Sequence, residues 1–312
     1  MNGKTVYIHA AAEGGYLGNG GFICLNELSR QLERLGYRVA WFDHADRLRA
    51  DMWKWTGYPA PPIAFFSTVL ADDAPVVTTW LHSWLGVVLR HFELWPRLRY
   101  WCSGELLRAD AQYDPVRTFV RDHLREIAIN NPSLADAYRR LDIGPRWHWT
   151  NWVRDEFMPG PTRQPGTIGI QPDGKDDEAR AVLVEHFGEN AVISCVGTQA
   201  DVIRAMQRCD LFLSWNNLWA LTCGAGESFG LNLYEAMACG CVPVSRFHCG
   251  NDLAASVVTR AHTLDDAIRY LMDYRNDEVF RGTARHRQGT FIEQRYRFDE
   301  QRLRAIEGYL HG

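Results

Sequence analysis

The 312-residue chain is long enough for two ordinary domains or for one large α/β unit. Hydrophobic residues make up 46% of the chain and charged residues 23%, which excludes a disordered protein and provides apolar material for two cores. The formal net charge of −4 excludes a global positive field that would attract nucleic acid or an anionic membrane surface.

The N-terminal sequence and the cysteine spacing indicate a cytoplasmic protein. Residues 1–10 read as a polar start followed by a short strand rather than as a signal peptide. The sequence contains no run of 18 apolar residues, so we expect no transmembrane helix. Its eight cysteines include no CxxC pair and no zinc-ligand spacing, and we expect them to be reduced.

The chain begins with the pattern strand, glycine loop, helix, strand. Residues 4–10 alternate apolar with other residue types, as a strand does, and a glycine-rich loop follows at 14–21. An amphipathic helix then carries leucines at three- and four-residue steps and ends at Gly36, and residues 38–42 form a second strand. This order is typical of a doubly wound parallel sheet.

Further strands and an interrupted helical region are predicted before residue 145. The strands are expected at residues 63–69, 76–81 and 100–102, and the helical region at 116–141. Within this region Arg117, Arg121 and Arg125 fall four residues apart on one stripe. The stripe is interpreted either as a solvated face or as a patch for a phosphate-bearing acceptor.

Residues 144–166 contain several prolines and tryptophans and indicate a crossing between two domains. The α/β alternation restarts behind this crossing. Strands are predicted at 167–170, 191–196, 211–214 and 242–245, and helices at 178–187, 202–208, 230–239, 264–274 and 292–310. Two such α/β halves leave a cleft between the strand ends of their sheets.

The stretch of residues 226–244 carries the most informative pattern. It reads Gly-Glu-Ser-Phe-Gly-Leu-Asn-Leu-Tyr-Glu-Ala-Met-Ala-Cys-Gly-Cys-Val-Pro-Val, with Glu227 and Glu235 separated by seven residues. Gly230 and Leu231 open a predicted helix, whose free N–H groups and dipole favour an anion such as a diphosphate. Either glutamate alone is typical of a helix N-terminus or a solvated helix face, whereas the whole pattern indicates a binding site.

This stretch resembles the signature of glycosyltransferase family 4 and its GT-B relatives. Residues 206–214 and the Arg-Tyr-Arg-Phe sequence at 295–298 are similar to the segments before that signature and at the C-terminus. The resemblance implies an α/β fold of the GT-B type: two Rossmann-like domains facing a central cleft, with the C-terminal helix returning to the first domain. It places an acceptor-side domain at 1–145 and a nucleotide-sugar-binding domain at 146–312.

The resemblance also implies a retaining hexosyl- or pentosyltransferase that uses a nucleotide sugar as substrate and needs no cofactor. In such an enzyme Glu227 contacts the donor sugar and Glu235 binds the ribose. The residues expected to bind the donor diphosphate at the helix start are Ser228, Phe229, Gly230 and Leu231. Since no Asp-x-Asp cluster lies at a predicted strand end, we expect no metal site and metal-independent turnover.

Two residues of the first half resemble further donor contacts. Gly15 lies in a loop like the one that borders the diphosphate and acceptor in the family, or in an ordinary βα turn. His82 is expected to end a strand, where it resembles a histidine near the donor sugar. The alternative for His82 is a structural core or loop histidine.

The family's diphosphate cations are matched only in part. Relatives carry an arginine and a lysine five residues apart, and here Lys175 fits the lysine while Ile170 stands in place of the arginine. Arg154 and Arg246 are the candidates to compensate, and the sequence does not choose between them.

Three other functions would use parts of the same sequence pattern. A nicotinamide dehydrogenase would use Asp43 for ribose, but its glycine pattern would need a glycine at Ile23. A glycosidase needs carboxylates roughly 5–9.5 Å apart, whereas eight helical residues rise about 12 Å. A non-catalytic nucleotide-sugar or carbohydrate binder remains an alternative function because of the missing arginine.

The acceptor expected for a transferase is a sugar, a natural product, a lipid head group or a modified nucleic-acid base. The acidic net charge disfavours nucleic acid.

Overall fold

The computed structural model describes residues 4–10, 20–54, 56–102, 105–107, 110–129, 134–149, 152–161, 163–171, 176–215, 231–246 and 256–312. The chain divides into two compact units, one formed by Met1–Thr150 with Asp299–Gly312 and the other by Asn151–Phe298. Each unit is built on a parallel sheet, so the α/β class predicted from the sequence is confirmed.

The first unit contains a six-stranded parallel sheet in the order β2-β1-β3-β4-β5-β6. Its strands are β1 Thr5–His9, β2 Arg38–Phe42, β3 Val76–Thr78, β4 Leu98–Cys102, β5 Ile127–Ile129 and β6 Trp147–His148. All residues of β3 and β5 are buried, as expected of central strands in a sheet that helices cover.

The second unit contains a five-stranded parallel sheet in the order β11-β10-β9-β7-β8. Its strands are β7 Ile168–Ile170, β8 Val192–Ser194, β9 Leu211–Ser214, β10 Val242–Ser245 and β11 Thr259–Arg260. The strands β9 and β10 pair from Leu211 opposite Val242 to Ser214 opposite Ser245. The segments that follow these two strands therefore start side by side at one edge of the sheet.

The helices of the described residues alternate with the strands. They are α1 Gly20–Arg34, α2 Phe66–Ala71, α3 Leu85–Val88, α4 Asp114–His123, α5 Ala135–Arg139, α6 Asp177–Phe187, α7 Gln199–Arg208, α8 Leu231–Ala238, α9 Leu264–Asn276, α10 Glu278–Arg295 and α11 Glu300–His311. In α1 the leucines of the predicted apolar face, such as Leu25 and Leu28, are fully buried. α1 is followed by Gly36 with φ +84°, a left-handed cap that glycine adopts without strain.

Two elements of the first unit differ from the prediction. The predicted strand at 63–69 is wrong, because this segment contains only a single bridge from Ile63 to Trp41 before α2 begins at Phe66. The predicted helical region at 116–141 contains the strand β5 between two helices. Short apolar runs do not distinguish a buried strand from a helix, and here the neighbouring strands decide.

The C-terminal region forms two helices where one was predicted at 292–310. The first, α10, ends at Arg295, and Asp299 caps α11 by accepting a hydrogen bond from the backbone N–H of Arg302 at 2.8 Å. α11 packs on the first unit, where Tyr309 contacts Trp149 with a ring distance of 5.3 Å. The prediction that the last helix returns to the first domain is confirmed.

A membrane-crossing helix would have to be longer and more apolar than any helix in the described ranges.

Candidate functional site

The helix that carries the second glutamate of the pattern, α8, leads into the strand β10 of the second sheet. In parallel α/β sheets ligands bind outside the carboxyl edge, next to the helices that start there. α8 is such a helix, since it follows β9 along the chain, begins at Leu231 and leads back into β10. An anion at its first turn would meet the positive end of the helix dipole.

Most predicted site residues lie outside the described residues, and their assignments stay predictions. These residues are Gly15, Lys175, Glu227, Ser228, Phe229 and Gly230. The structure places the remaining three: Leu231 as the first residue of α8, Glu235 in the same helix, and His82 in the first unit.

α8 is buried from Leu233 to Ala238. A helix buried on all sides is expected to be apolar all round, and between these two residues Glu235 is the one carboxylic acid. Tyr234 stacks on Tyr296 with a ring distance of 4.4 Å, which anchors the helix to the end of α10. Burial of a carboxylate in such a helix requires a specific partner.

Arg154 is that partner. Its Nη2 donates a hydrogen bond to Glu235 Oε1 at 3.1 Å, and the side chains are only 5% and 7% exposed. Burial raises the pKa of Glu235, while the charge and hydrogen bond of Arg154 act in the opposite direction. Glu235 is therefore not a solvated helix residue, which was one of its two sequence interpretations. The bond to Arg154 engages Oε1, one of the two carboxylate oxygens.

The position of Arg154 is fixed by several contacts. Its guanidinium lies 4.8 Å from the ring centroid of Phe157. Arg297 donates hydrogen bonds to the carbonyl oxygens of Arg154 and Phe157 at 2.9 and 3.1 Å. The Arg-Tyr-Arg-Phe segment singled out in the sequence therefore holds the chain that presents Arg154 to Glu235.

The strand β7 ends at the place where the family resemblance predicts an arginine for the diphosphate. Ile170 is fully buried there and opposite Leu213 of β9, so the side chain at this place contributes packing and no charge. Gln171 is the last described residue before Lys175, which lies outside the described ranges.

An arginine and a tryptophan follow β10 and β9 at the same edge. Arg246 donates its backbone N–H to the carbonyl of Ser214 at 3.0 Å. Its guanidinium lies 5.0 Å from the ring centroid of Trp215, within the range of a cation–π interaction. Both side chains are partly exposed, in contrast to Arg154.

His82 lies in the first unit, in a 3₁₀ turn at Leu81–Ser83. The prediction that it ends a strand is wrong, because β3 stops at Thr78. The chain turns at Trp80, whose carbonyl accepts a hydrogen bond from Ser83 Oγ at 2.7 Å. His82 is exposed and its ring contacts Tyr113 at 5.2 Å; its contact with a donor sugar stays a prediction.

The carboxyl ends of β1, β2 and β3 bring together a polar cluster that the sequence analysis did not assign. His9 Nε2 lies 3.3 Å from His44 Nδ1, which in turn lies 3.3 Å from Asp43 Oδ1. His9 stacks on Trp84 with a ring distance of 4.0 Å, and Thr78 Oγ1 lies 3.4 Å from His9 Nδ1. The available signal was a histidine and an Asp-His pair, each directly at the end of a predicted strand.

The charge of this cluster is balanced within the first unit. Arg47 donates hydrogen bonds to both oxygens of Asp43, at 2.7 and 3.1 Å. Burial alone would raise the pKa of Asp43, but Arg47 and His44 hold it below its ordinary value. Burial and the neighbouring His44 lower the pKa of His9 well below its usual range. The three side chains have ligand atoms within 4.8 Å of one another, as in a metal site, yet Arg47 already occupies the carboxylate.

The predicted arginine stripe is not continuous. α4 ends at His123, so Arg125 lies beyond the helix that carries Arg117 and Arg121. Arg117 pairs with Asp114, and Arg121 donates to Asp122 at 2.7 Å. These acidic partners favour the solvated face over the phosphate patch.

Comparison with known proteins gives a family match within the second unit. Residues 167–259 match the family model of Glycosyl transferases group 1. The matched range covers β7 to the first residue of β11 and includes α8 with Glu235. No curated protein sequence matches the chain.

Solved structures match nearly the whole chain. Alr3699/HepE from Anabaena, in complex with UDP-glucose, has a TM-score of 0.73 at 13% identity and covers 97% of this chain and 98% of its own. An alpha-glucosyltransferase in complex with UDP has a TM-score of 0.61 at 10% identity, with 94% and 96% coverage. AviGT4, a glycosyltransferase involved in avilamycin A biosynthesis, has a TM-score of 0.58 at 12% identity, with 98% and 97% coverage.

At these identities the likeness shows the fold. The chain has the two-domain GT-B fold predicted from its sequence. The match of residues 167–259 and this fold together support a glycosyltransferase of the GT-B type.

Proposed function

We propose that the chain is a retaining glycosyltransferase of the family 4 type, which moves a hexosyl or pentosyl group from a nucleotide sugar to an acceptor. The observation that carries this proposal is the two-glutamate pattern inside the matched domain, with its second glutamate buried and paired on a helix that starts at the sheet's carboxyl edge. A helix with only a structural role would have no need of a buried carboxylate at this place.

A uridine diphosphate sugar is the first donor to test. The Anabaena protein is found in complex with UDP-glucose and the alpha-glucosyltransferase in complex with UDP. In the proposed complex, Glu235 Oε2 accepts hydrogen bonds from the ribose hydroxyls while Oε1 stays with Arg154. The diphosphate lies against the first turn of α8, where Ser228, Phe229, Gly230 and Leu231 present backbone N–H groups, and Lys175 and Gly15 approach it from their loops.

The proposed catalysis depends on charge that develops at the transferring sugar. As the glycosidic bond breaks, the anomeric carbon becomes positive and the leaving diphosphate more negative. Glu227 beside the sugar stabilises the first charge, and the helix terminus with Lys175 stabilises the second. His82 is proposed to orient the sugar. The anomeric configuration is retained, and the proposed reaction proceeds without a metal ion.

A non-catalytic nucleotide-sugar binder is the second candidate. The buried Ile170 in place of the family's arginine favours it, since one diphosphate cation is absent from its usual position. Such a protein would bind the donor without releasing the nucleotide.

Nucleotide release decides between these functions. We expect UDP to be released from a UDP-sugar when the purified chain meets a suitable acceptor, and Glu227→Gln to slow the release. A panel of nucleotides and nucleotide sugars, read by thermal shift, identifies the donor first, because a ligand of the native state raises the melting temperature. Sugars, natural products, lipid head groups and modified bases form the acceptor panel. Binding without release for every acceptor would establish the binder, and inverted product in NMR would refute retention.

A further inference from the structure

The donor diphosphate requires more positive charge than the residues predicted to contact it supply. A nucleoside diphosphate sugar carries two negative charges, whereas a helix N-terminus offers roughly half a positive charge and Lys175 offers one. The place of the family's arginine holds Ile170, a fully buried strand residue. A further cation at the carboxyl edge of the second sheet would complete the neutralisation.

Arg154 is committed to another task. It is 5% exposed, forms an ion pair with Glu235 at 3.1 Å and lies over the ring of Phe157. Moving its guanidinium to a diphosphate would leave the carboxylate of Glu235 buried without its partner, which is strongly unfavourable. Of the two arginines that the sequence left open, Arg154 is therefore excluded by its surroundings.

Arg246 has the position and the exposure that the task requires. It follows β10 directly, and its backbone N–H bonds to Ser214 of β9, so it lies at the carboxyl edge next to the segment that leads into α8. Its side chain is partly exposed. In the strand order, β10 and β7 flank β9, and strands are spaced about 4.8 Å apart. Arg246 therefore lies one strand away from β9 at this edge, and β7, which precedes Lys175 along the chain, flanks β9 on its other side.

Trp215 restricts the position of the guanidinium. The guanidinium carbon of Arg246 lies 5.0 Å from the ring centroid of Trp215, within the range of a cation–π interaction. A guanidinium is the side-chain group that can bind two phosphate oxygens at once. The Trp215 ring itself packs against the apolar core of the sheet, which holds it in place.

We infer that Arg246, oriented by Trp215, is the arginine that binds the donor diphosphate in this chain and replaces the one missing at Ile170. The inference rests on the proposed nucleotide-sugar transfer and specifies which residue completes its donor site. Arg246 is a binding residue in this assignment, and Trp215 is a positioning residue that acts through it.

The test measures the affinity of UDP and of uridine, with ADP and GDP as alternative diphosphates, by isothermal titration calorimetry. We expect Arg246→Ala to weaken diphosphate binding about tenfold to a hundredfold, as the loss of a charge-assisted hydrogen-bond pair does. Uridine affinity should remain unchanged. Arg246→Lys keeps the charge and should restore part of the loss. Trp215→Leu should weaken UDP binding by a smaller factor, and Arg246→Ala should add less on that background than on the wild type.

Arg269→Ala is the matched control. Arg269 also lies over an aromatic ring, at 4.9 Å from the centroid of Tyr270, but on α9 and away from the strand ends. The Arg269→Ala variant should bind UDP with the affinity of the wild type. If the wild type binds a nucleoside diphosphate and Arg246→Ala binds it equally well, the inference is wrong and the proposed function stands. If the wild type binds no nucleoside diphosphate or nucleotide sugar, both are wrong.

Discussion

At the scale of single residues, Glu235 forms a buried ion pair and is also the residue proposed to bind the ribose. Arg154 donates a hydrogen bond to one carboxylate oxygen inside the second unit, and the buried helix α8 fixes the backbone that carries the side chain. Removing a carboxylate from water is costly unless a charged partner remains beside it. The ion pair therefore restrains Glu235 before any ligand arrives, which would reduce the ordering cost of the proposed ribose binding.

Exchange of each glutamate for glutamine should separate their roles. Glu235→Gln is expected to raise the apparent KM for the donor about ten- to a hundredfold with a smaller change in kcat, because ribose contacts act equally in the ground and transition states. Glu227→Gln is expected to lower kcat more than donor affinity, because its charge acts on the breaking bond. Initial rates of nucleotide release over a range of donor concentrations measure both. Matching defects in the two variants would contradict this division.

His9 illustrates a polar residue whose neutral form is part of the folded state. Its ring is fully buried between Trp84 and His44, and burial holds its pKa well below the usual 6.5. The unfolded chain therefore binds a proton near its ordinary pKa that the folded chain does not bind. The contribution of neutral His9 is fully present above about pH 6.5 and is lost as the pH falls from there toward the lowered pKa.

His9→Gln should flatten the pH dependence of stability on the acidic side. In the wild type one such histidine lowers the free energy of unfolding by up to about 1.4 kcal/mol per pH unit below pH 6.5. Urea unfolding between about pH 7 and pH 5 measures this slope. His91→Gln is the control, since His91 is partly exposed and pairs with Glu93 at 3.0 Å. Equal slopes in wild type and His9→Gln would show that His9 is already protonated in the fold.

At the scale of elements, the apolar periodicity of the sequence predicted those helices and strands whose own residue pattern is sufficient to specify them. α1, α6, α7, β9 and β10 follow from apolar spacing and glycine ends. β5 is only three residues long, and it is a strand because it pairs with β4 and β6. The sequence pattern alone does not contain that pairing, so a helix was expected there.

The candidate site likewise contains residues that the sequence reveals and contacts that it does not reveal. The two glutamates stand in one contiguous pattern, so the sequence revealed them together. The pair of Glu235 with Arg154 joins positions 81 residues apart, and the contact of His9 with His44 joins positions 35 apart. Such contacts depend on strand order and on the packing of loops, which a single sequence does not specify.

Alanine substitutions at two glycines with left-handed backbones can test the contacts of the turn between α8 and β10. Gly240 has φ +82° and Gly36 has φ +84°, so alanine should cost about 1–2 kcal/mol at either place from backbone strain. At Gly36 an added Cβ meets nothing within 4 Å, whereas at Gly240 it meets the guanidinium of Arg163. Arg163 also donates to the carbonyl of Cys239 at 2.7 Å, a bond that the added carbon would displace. Gly240→Ala should therefore be the more destabilising variant in urea unfolding, and equal losses would refute the role of Arg163.

At the scale of the whole molecule, each unit places chemically active residues at the carboxyl edge of its own sheet. In the first unit these are His9 and Asp43 with its neighbour His44, and in the second they are Trp215 and Arg246, which directly follow β9 and β10. This repeats the rule for open α/β sheets in both halves of one chain. The first unit is completed by α11, which follows the second unit in sequence.

Metal independence is the prediction that concerns the molecule as a whole. In metal-dependent transferases a divalent cation neutralises the diphosphate, whereas here the helix start, Lys175 and Arg246 are proposed to do so. The group in the described chain with the spacing of a metal site, His9, Asp43 and His44, belongs to the first unit, and its carboxylate is already engaged by Arg47. Nucleotide release should therefore proceed at an unchanged initial rate after dialysis against EDTA. A metal-dependent transferase treated in parallel shows that the chelation is effective. Loss of activity that magnesium or manganese restores would mean that the diphosphate depends on an ion and that the proposed cations do not suffice.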